Sequence, residues 1–197
     1  MFCNASHGTS FSVLLACFRA AHYRMTGVPD ANIGAMFPSH ENQETRPAAA
    51  LPVCLRIQVD DEDSFEQLIQ HVQTTLDSAT HHQGLSSGAI VECLGRFSDN
   101  PLYLMTFAMH RETARRQQDE TMKSPLTTSE LDFHLYEDDS SIFGEVRYTS
   151  DSFTPSTIST ILSVFAVFWS AVCKILEDVS TRCPWYMDMQ HFKRWGL

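Results

Sequence analysis

Between Ser156 and Cys173 the chain carries no charged residue, and Ile161, Leu162, Val164, Phe165, Val167, Phe168 and Trp169 bring that stretch close to the length of a membrane-spanning helix. A run of this kind ends up either in lipid or against a protein core. Ser156, Thr157, Ser159, Thr160, Ser163 and Ser170 dilute its apolar character, and Thr154 followed by Pro155 reads as an ordinary helix cap with proline in the first turn. The expectation is a largely buried helix running from Pro155 to about Val179, with no membrane span. A second apolar run, Phe11 to Phe18, has no basic residue before it, so the charged start of a secretory signal is missing.

The rest of the chain supplies a core for that helix to cover. Phe11, Leu14, Leu15, Phe18, Ala21 and Met25 recur at helical spacing and Gly27 then Pro29 stop them, which predicts a first helix from about Thr9 to Met25. Ala31 to Phe37 reads as a short strand and Pro38 to Ala50 as a polar loop. Val53, Leu55, Ile57 and Val59 alternate with Cys54, Arg56 and Gln58, the period of a half-buried strand. Ser64 with Gln67 three residues on is a capping box, and Phe65, Leu68, Ile69, Val72 and Leu76 form the buried stripe of the helix it opens. A shorter amphipathic piece is expected at Ala89 to Leu94. Leu102 to Met109 is short, apolar and aromatic enough for an inner strand, and His110 to Ser129 reads as a polar connection. Leu131, Phe133 and Leu135 alternate with Asp132, His134 and Tyr136; with Ile142 to Tyr148 they predict a hairpin turned by Glu137 to Ser141. The order of helices and strands implies an α/β domain, a mixed β-sheet covered by helices, over residues 1–180. Residues 181–197 form a tail with Trp185, Tyr186, Phe192 and Trp195 beside Lys193 and Arg194.

Charge and cysteine usage narrow the partners. With 197 residues, 43% hydrophobic, one sizeable core is expected. Fourteen Lys and Arg against 24 Asp and Glu give a formal charge of -10, which opposes nucleic acid and anionic membrane surfaces. Six cysteines lie scattered, with no C-x-x-C pair, as suits a reducing compartment; the cytoplasm is expected.

The segments Gly8 to Phe18 with Tyr23-Arg24-Met25-Thr26-Gly27, Asn32-Ile33-Gly34, Leu51 to Ile57, Ser64 to Leu76, His82-Gln83, Asn100-Pro101-Leu102-Tyr103, Glu130 to Tyr136, Gly144 to Thr149 and Phe153 to Leu176 resemble, in order and spacing, the C-terminal lobe of nonribosomal-peptide condensation domains. The resemblance implies one lobe of the chloramphenicol-acetyltransferase type of fold, in which two similar lobes form a V around a substrate tunnel. It is therefore expected to be a truncated, stand-alone lobe. The family's amide-forming motif, His-His-x-x-x-Asp-Gly, belongs to the other lobe: here His81-His82 is followed by Gln83, Gly84, Leu85, Ser86 and Ser87, with no Asp-Gly at the required offset. Two further departures stand out. The loop at Pro38 to Ala50 lacks the family's glycine-phenylalanine-valine-asparagine segment, and Ser86-Ser87-Gly88 replaces its proline-phenylalanine-glutamate.

Candidate chemistry concentrates on one strand face. Asp132, His134 and Tyr136 point the same way, with Arg147 or its neighbours opposite on the paired strand. A carboxylate beside His134 would raise its pKa and orient its ring for general-base work, which makes His134 and Asp132 the candidate catalytic pair and Tyr136 and Arg147 candidate substrate contacts. The same pattern also reads as ordinary cross-strand pairing on a solvated or covered sheet face. No metal site is expected: His71 and His81 do not share a helix face cleanly, and adjacent His81 and His82 diverge. There is no nucleophile elbow and no phosphate-cradling glycine loop, and no cofactor is expected.

Three functions fit the residues. One is an enzyme of specialised peptide or polyketide metabolism that binds a small-molecule biosynthetic intermediate and promotes cyclisation or cycloaddition by holding the reacting ends close, as a homodimer whose two-fold interface rebuilds a cleft. The second is a non-catalytic protein that docks a carrier protein or synthetase. The third is half of a two-chain amide-forming condensation enzyme.

Overall fold

The computed structural model describes residues 9–36, 53–81, 102–111, 129–137, 141–177, 186–187 and 193–196. The expected loop at Pro38 to Ala50, His82-Gln83, the helical piece at Ala89 to Leu94, Asn100-Pro101 and most of the polar connection before Ser129 lie outside them.

Three helices and seven strands occupy the described residues: α1 (Ser10–Thr26), β1 (Asp30–Met36), β2 (Val53–Gln58), α2 (Phe65–His81), β3 (Met105–Arg111), β4 (Leu131–Glu137), β5 (Ser141–Tyr148), α3 (Pro155–Glu177), β6 (Tyr186–Met187) and β7 (Lys193–Gly196). The strands form one mixed sheet in the order β2-β1-β3-β4-β5-β6, with β7 also paired to β5. Pairings β1/β3 and β3/β4 are parallel, while β1/β2 and the β4/β5 hairpin are antiparallel. Strands β6 and β7 lie within the 181–197 segment read above as an aromatic tail, and both run parallel to β5.

All three helices pack on one face. The core joins Phe11 to Phe18 of α1, Leu68, Ile69, Val72 and Leu76 of α2, and Ile158, Phe165, Trp169 and Val172 of α3 to the sheet residues Ile33, Leu55, Ile57, Phe107, Leu131, Phe133, Leu135 and Val146. At its centre is a ring cluster: Phe133 lies 4.8 Å from Phe18 and 5.8 Å from Phe165, and Phe107 lies 5.1 Å from Phe18. Alternation along β3 and β4 sends these phenylalanines to the helix side and leaves the intervening residues on the other.

Two expectations about the helices need correcting. The periodic stripe understates α1, which is buried on every side from Phe11 to Ala21 because it lies among the sheet, α2 and α3. The uncharged stretch overstates α3. That helix is long and apolar enough to cross a membrane by length and composition, yet only one side is buried: Phe165 is fully covered while Val167 is 68% exposed. The polar serines and threonines occupy the outer side, so the stripe facing the core accounts for its hydrophobicity only in part.

Helix ends follow their sequence signals. Thr9 Oγ1 accepts from the Ser12 amide, Gly27 at φ 68° returns its N–H to the Tyr23 carbonyl, and Ser64 and Gln67 exchange the reciprocal bonds of a capping box at 2.7 and 3.2 Å. Thr154 Oγ1 caps α3 by accepting from the Thr157 amide.

Inside α1, Arg19 is fully buried without a carboxylate partner at hydrogen-bond distance among the described residues. Its Nε donates to the Ile57 carbonyl at 3.1 Å, its Nη2 to the carbonyls of Val28 and Pro29 at 2.7 and 2.6 Å, and its Nη1 meets His22 Nδ1 at 3.0 Å. One guanidinium thus ties the end of β2 to the turn that follows α1. Burial and the Arg19 charge push the His22 pKa down to about 4, so that ring is a neutral acceptor at pH 7.

Candidate functional site

Opposite the helices, strands β3, β4 and β5 present a three-by-three patch. The register aligns Thr106, Asp132 and Arg147 in one row, Ala108, His134 and Glu145 in the next, and His110, Tyr136 and Phe143 in the third. None of the described residues of this patch belongs to the helix-side core. Asp132, His134 and Tyr136 therefore share a face, and Arg147 stands directly across from Asp132.

The expected catalytic pair does not form. Residues two apart on one strand face are separated by about 6.5–7 Å, and each of the two side chains finds a nearer partner across strands. Asp132 Oδ1 accepts from Thr106 Oγ1, while His134 Nδ1 lies 3.1 Å from His110 Nε2. The rings of His110 and His134 stack at 5.4 Å, and His110 stacks on Tyr136 at 5.2 Å. Tyr136 in turn stacks on Phe143 at 5.5 Å. The small side chain of Ala108, directly beside His134, leaves room for the diagonal contact from His110.

The expected direction of the His134 pKa is likewise reversed. Burial, with the charges of His110 and Arg147, pushes it down to about 3, and burial with Arg147 pushes His110 down to about 4. Both rings are neutral hydrogen-bonding groups at pH 7. Arg147 pairs with Glu145, two residues along its own strand, and the Tyr136 hydroxyl reaches Glu145 Oε1 at a long 3.5 Å.

Linkage gives these depressed values a sign. The unfolded chain binds protons near pH 6.5 that the folded chain refuses until about pH 4, so stability is full above 6.5 and falls as the pH is lowered toward 4. At pH 4.5 the first ring to protonate is expected to cost about 2–3 kcal/mol. Urea melts at pH 7.5 and 4.5 measure it; His22, held down to about 4 as well, keeps its own share, so His110→Phe should reduce the dependence without abolishing it, and an unchanged slope in that variant would remove the pair as a source.

His110 is the functional candidate that the sequence reading missed. It was assigned to the polar connection, whereas β3 continues through Arg111 and buries it opposite Tyr136. The available signal was alternation, since Thr106, Ala108 and His110 continue one face while Phe107 and Met109 continue the other.

At the β1 side, Tyr103 closes the patch. A Cβ on Gly34 would lie 2.5 Å from the Tyr103 ring, so glycine is what lets the ring rest on the strand. Burial, with the charges of Cys54 and Asp132, pushes the phenol up to about 12. Gly34→Val is expected to displace Tyr103 and to lower stability by about 1–3 kcal/mol. Thermal melts read the stability loss, and near-ultraviolet circular dichroism reads the ring; an unchanged aromatic signal would contradict this packing.

Among the described residues there is no cluster of three metal-ligating groups. Edge residues of the patch are the accessible ones: the Arg147 side chain is 35% exposed and Glu145 14%, against 6% for His134.

The comparisons with known proteins agree on one family. The condensation-domain family model matches residues 1–183. The PF 1022-synthetase of Rosellinia sp. is 34% identical over 178 residues, which is 83% of this chain and 6% of that protein. The nonribosomal peptide synthetase kk1B of Curvularia clavata is 37% identical over 80% of the chain and 1% of its own length. The chain thus spans only a few per cent of these curated relatives. Among solved structures, the condensation domain of the monacolin K polyketide synthase MokA superposes with a TM-score of 0.61 at 15% identity, covering 84% of this chain and 42% of that one. The X-domain from teicoplanin biosynthesis gives a TM-score of 0.61 at 17% identity over 85% and 42%. Those two likenesses establish the fold, a single lobe's worth of a larger α/β architecture. With a match to the family model that runs through all three helices and strands β1 to β5, the chain belongs to the condensation-domain family.

Proposed function

We propose that this chain serves peptide or polyketide biosynthesis as a substrate-holding lobe: the sheet face opposite the helices forms one wall of a cleft for a biosynthetic intermediate, and holding that intermediate promotes its ring closure. The observation that carries the reading is the patch itself, where a charged edge of Asp132, Glu145 and Arg147 borders two neutral imidazoles. Neither imidazole of the patch is poised as a base near pH 7, and the sequence given carries no His-His-x-x-x-Asp-Gly. Positioning by hydrogen bonds needs neither, because fixing two reacting ends in near-attack geometry lowers the barrier without a nucleophile. In this reading Arg147 and Tyr136 contact the substrate, and Asp132 acts through Thr106 and the facing Arg147. The setting proposed is the cytoplasm, with no metal or cofactor and with a carrier protein or synthetase delivering the intermediate.

One lobe offers one wall, so a homodimer about a two-fold axis is part of the proposal. Sedimentation at micromolar concentration should give the dimer mass, and a monomer there would count against it. Deleting the gene and profiling products tests the reaction: accumulation of an uncyclised intermediate supports it, and complete loss of every late product points away from it. Arg147→Met in the purified protein is expected to weaken intermediate binding about tenfold, the worth of one charge-assisted hydrogen bond.

A second reading draws on the chain's covering 42% of the MokA condensation domain and 42% of the teicoplanin X-domain. In that reading the lobe completes an amide-forming cleft with a lobe that carries the histidine motif. Mixing the chain with such a lobe should restore peptide-bond formation between aminoacyl thioesters; inactive mixtures with every such lobe of the pathway would exclude it.

A further inference from the structure

We infer that the His110–His134 pair is a carbonyl-binding element, a coupled donor and acceptor that takes the thioester or amide carbonyl of the intermediate on an outer ring nitrogen. The inference rests on the sheet-face reading and adds which atoms on that face meet the ligand and what they recognise.

The count of protons makes the pair bifunctional. Two neutral imidazoles hold four nitrogens and two N–H protons. The contact at 3.1 Å between His110 Nε2 and His134 Nδ1 uses one N–H and one lone pair. One N–H and one lone pair therefore remain on the outer nitrogens, His110 Nδ1 and His134 Nε2. If His110 donates inward, His134 Nε2 carries the outer proton; if His134 donates inward, His110 Nδ1 does. Either way the pair offers one donor and one acceptor, and choosing the tautomer of one ring sets the other.

Neither ring has a second hydrogen-bond partner among the described residues, although the residues are only 8% and 6% exposed. The outer nitrogens are not among the buried polar atoms without a partner, so the outer N–H keeps an opening to a polar atom. A carbonyl oxygen suits it, being an acceptor without a charge to desolvate. Neutrality is enforced first by burial; Arg147 on β5 also opposes protonation, Glu145 on that strand is engaged by Arg147, and on β4 Asp132 is engaged by Thr106. Tyr136, on β4 as well, stacks on His110 and holds its plane.

The test has two arms. In the wild-type protein with nitrogen-15 histidine, both rings should stay neutral from pH 5 to 8, and one of them should show a proton held between the rings; a midpoint above pH 6 in either ring would overturn the inference. The second arm uses octanoyl-N-acetylcysteamine carrying carbon-13 at the thioester carbonyl. Binding should move that resonance downfield; the nitrogen-15 spectra show which ring carries the outer N–H, and replacing that ring (His134→Phe or His110→Phe) should abolish the shift while weakening binding no more than about tenfold. The leucine variant at the same position, which has no N–H to give, serves if the phenylalanine variant is unstable, with circular dichroism as a check on folding. Binding with an unmoved carbonyl resonance defeats this inference and leaves the sheet-face reading standing. Absence of binding to the wild type defeats both.

Discussion

Replacing Arg19 with alanine is expected to lower unfolding stability by about 3–5 kcal/mol, enough to leave a domain of this size marginal. The guanidinium is fully buried, and its removal takes one hydrogen bond each from the carbonyls of Ile57, Val28 and Pro29 and from the ring of His22, although Pro29 keeps the bond from the Val59 amide. The bond to Ile57 is lost in the buried interior and those to Val28 and Pro29 at the partly exposed turn, and the vacated volume adds a cavity. Urea denaturation of the full chain measures the loss. Arg19→Lys is the informative companion. A lysine brings the charge but not the fork that serves three carbonyls at once, so it should recover less than half of the stability. Full rescue by lysine would show that charge alone, and not the directed bonds, holds the turn after α1 to β2.

Phe133→Ala should cost about 3–5 kcal/mol by a different route, the removal of the ring at the centre of the core. Phe133 is fully buried and meets Phe18 at 4.8 Å, Phe165 at 5.8 Å and Phe107 at 6.3 Å, so it bridges α1, α3 and β3. Its loss loosens both helices from the sheet. Because Asp132 and His134 flank it on β4, the same substitution tests whether the core holds the functional face in place. The ring of His134 should lose its depressed pKa as β4 loosens, which nitrogen-15 histidine spectra would detect. A variant that is destabilised yet retains the His134 titration unchanged would show the two faces to be independent.

Much of this architecture was legible because periodicity reports which side of an element meets the core. The alternation at Leu131 to Tyr136 and Ile142 to Tyr148 located the hairpin and put Asp132, His134 and Tyr136 on one face, and Ser64 with Gln67 located the start of α2. Alternation is silent about depth. It could not say that Arg19 is fully buried, because a lone arginine in a helix ordinarily reaches solvent, and the carbonyls that receive it come from the turn after α1 and from Ile57, 38 residues away. It also could not say which neighbour on a shared face is nearest. Asp132 and His134 looked like a pair because they are close in sequence, yet the sheet offers each a better partner from β3.

What the residues by themselves determined is therefore the run of elements from α1 to α3, the sheet faces of β2, β4 and β5 and the family likeness, since these depend on spacing along the chain and on local capping chemistry. Tertiary structure alone decided that His110 lies beside His134, that Asp132 turns to Thr106, and that both imidazoles stay neutral. The physical reason is that pKa values and hydrogen-bond partners follow from distance and desolvation in three dimensions, and the strand that supplies His110 is joined to β4 by a connection whose length says nothing about register.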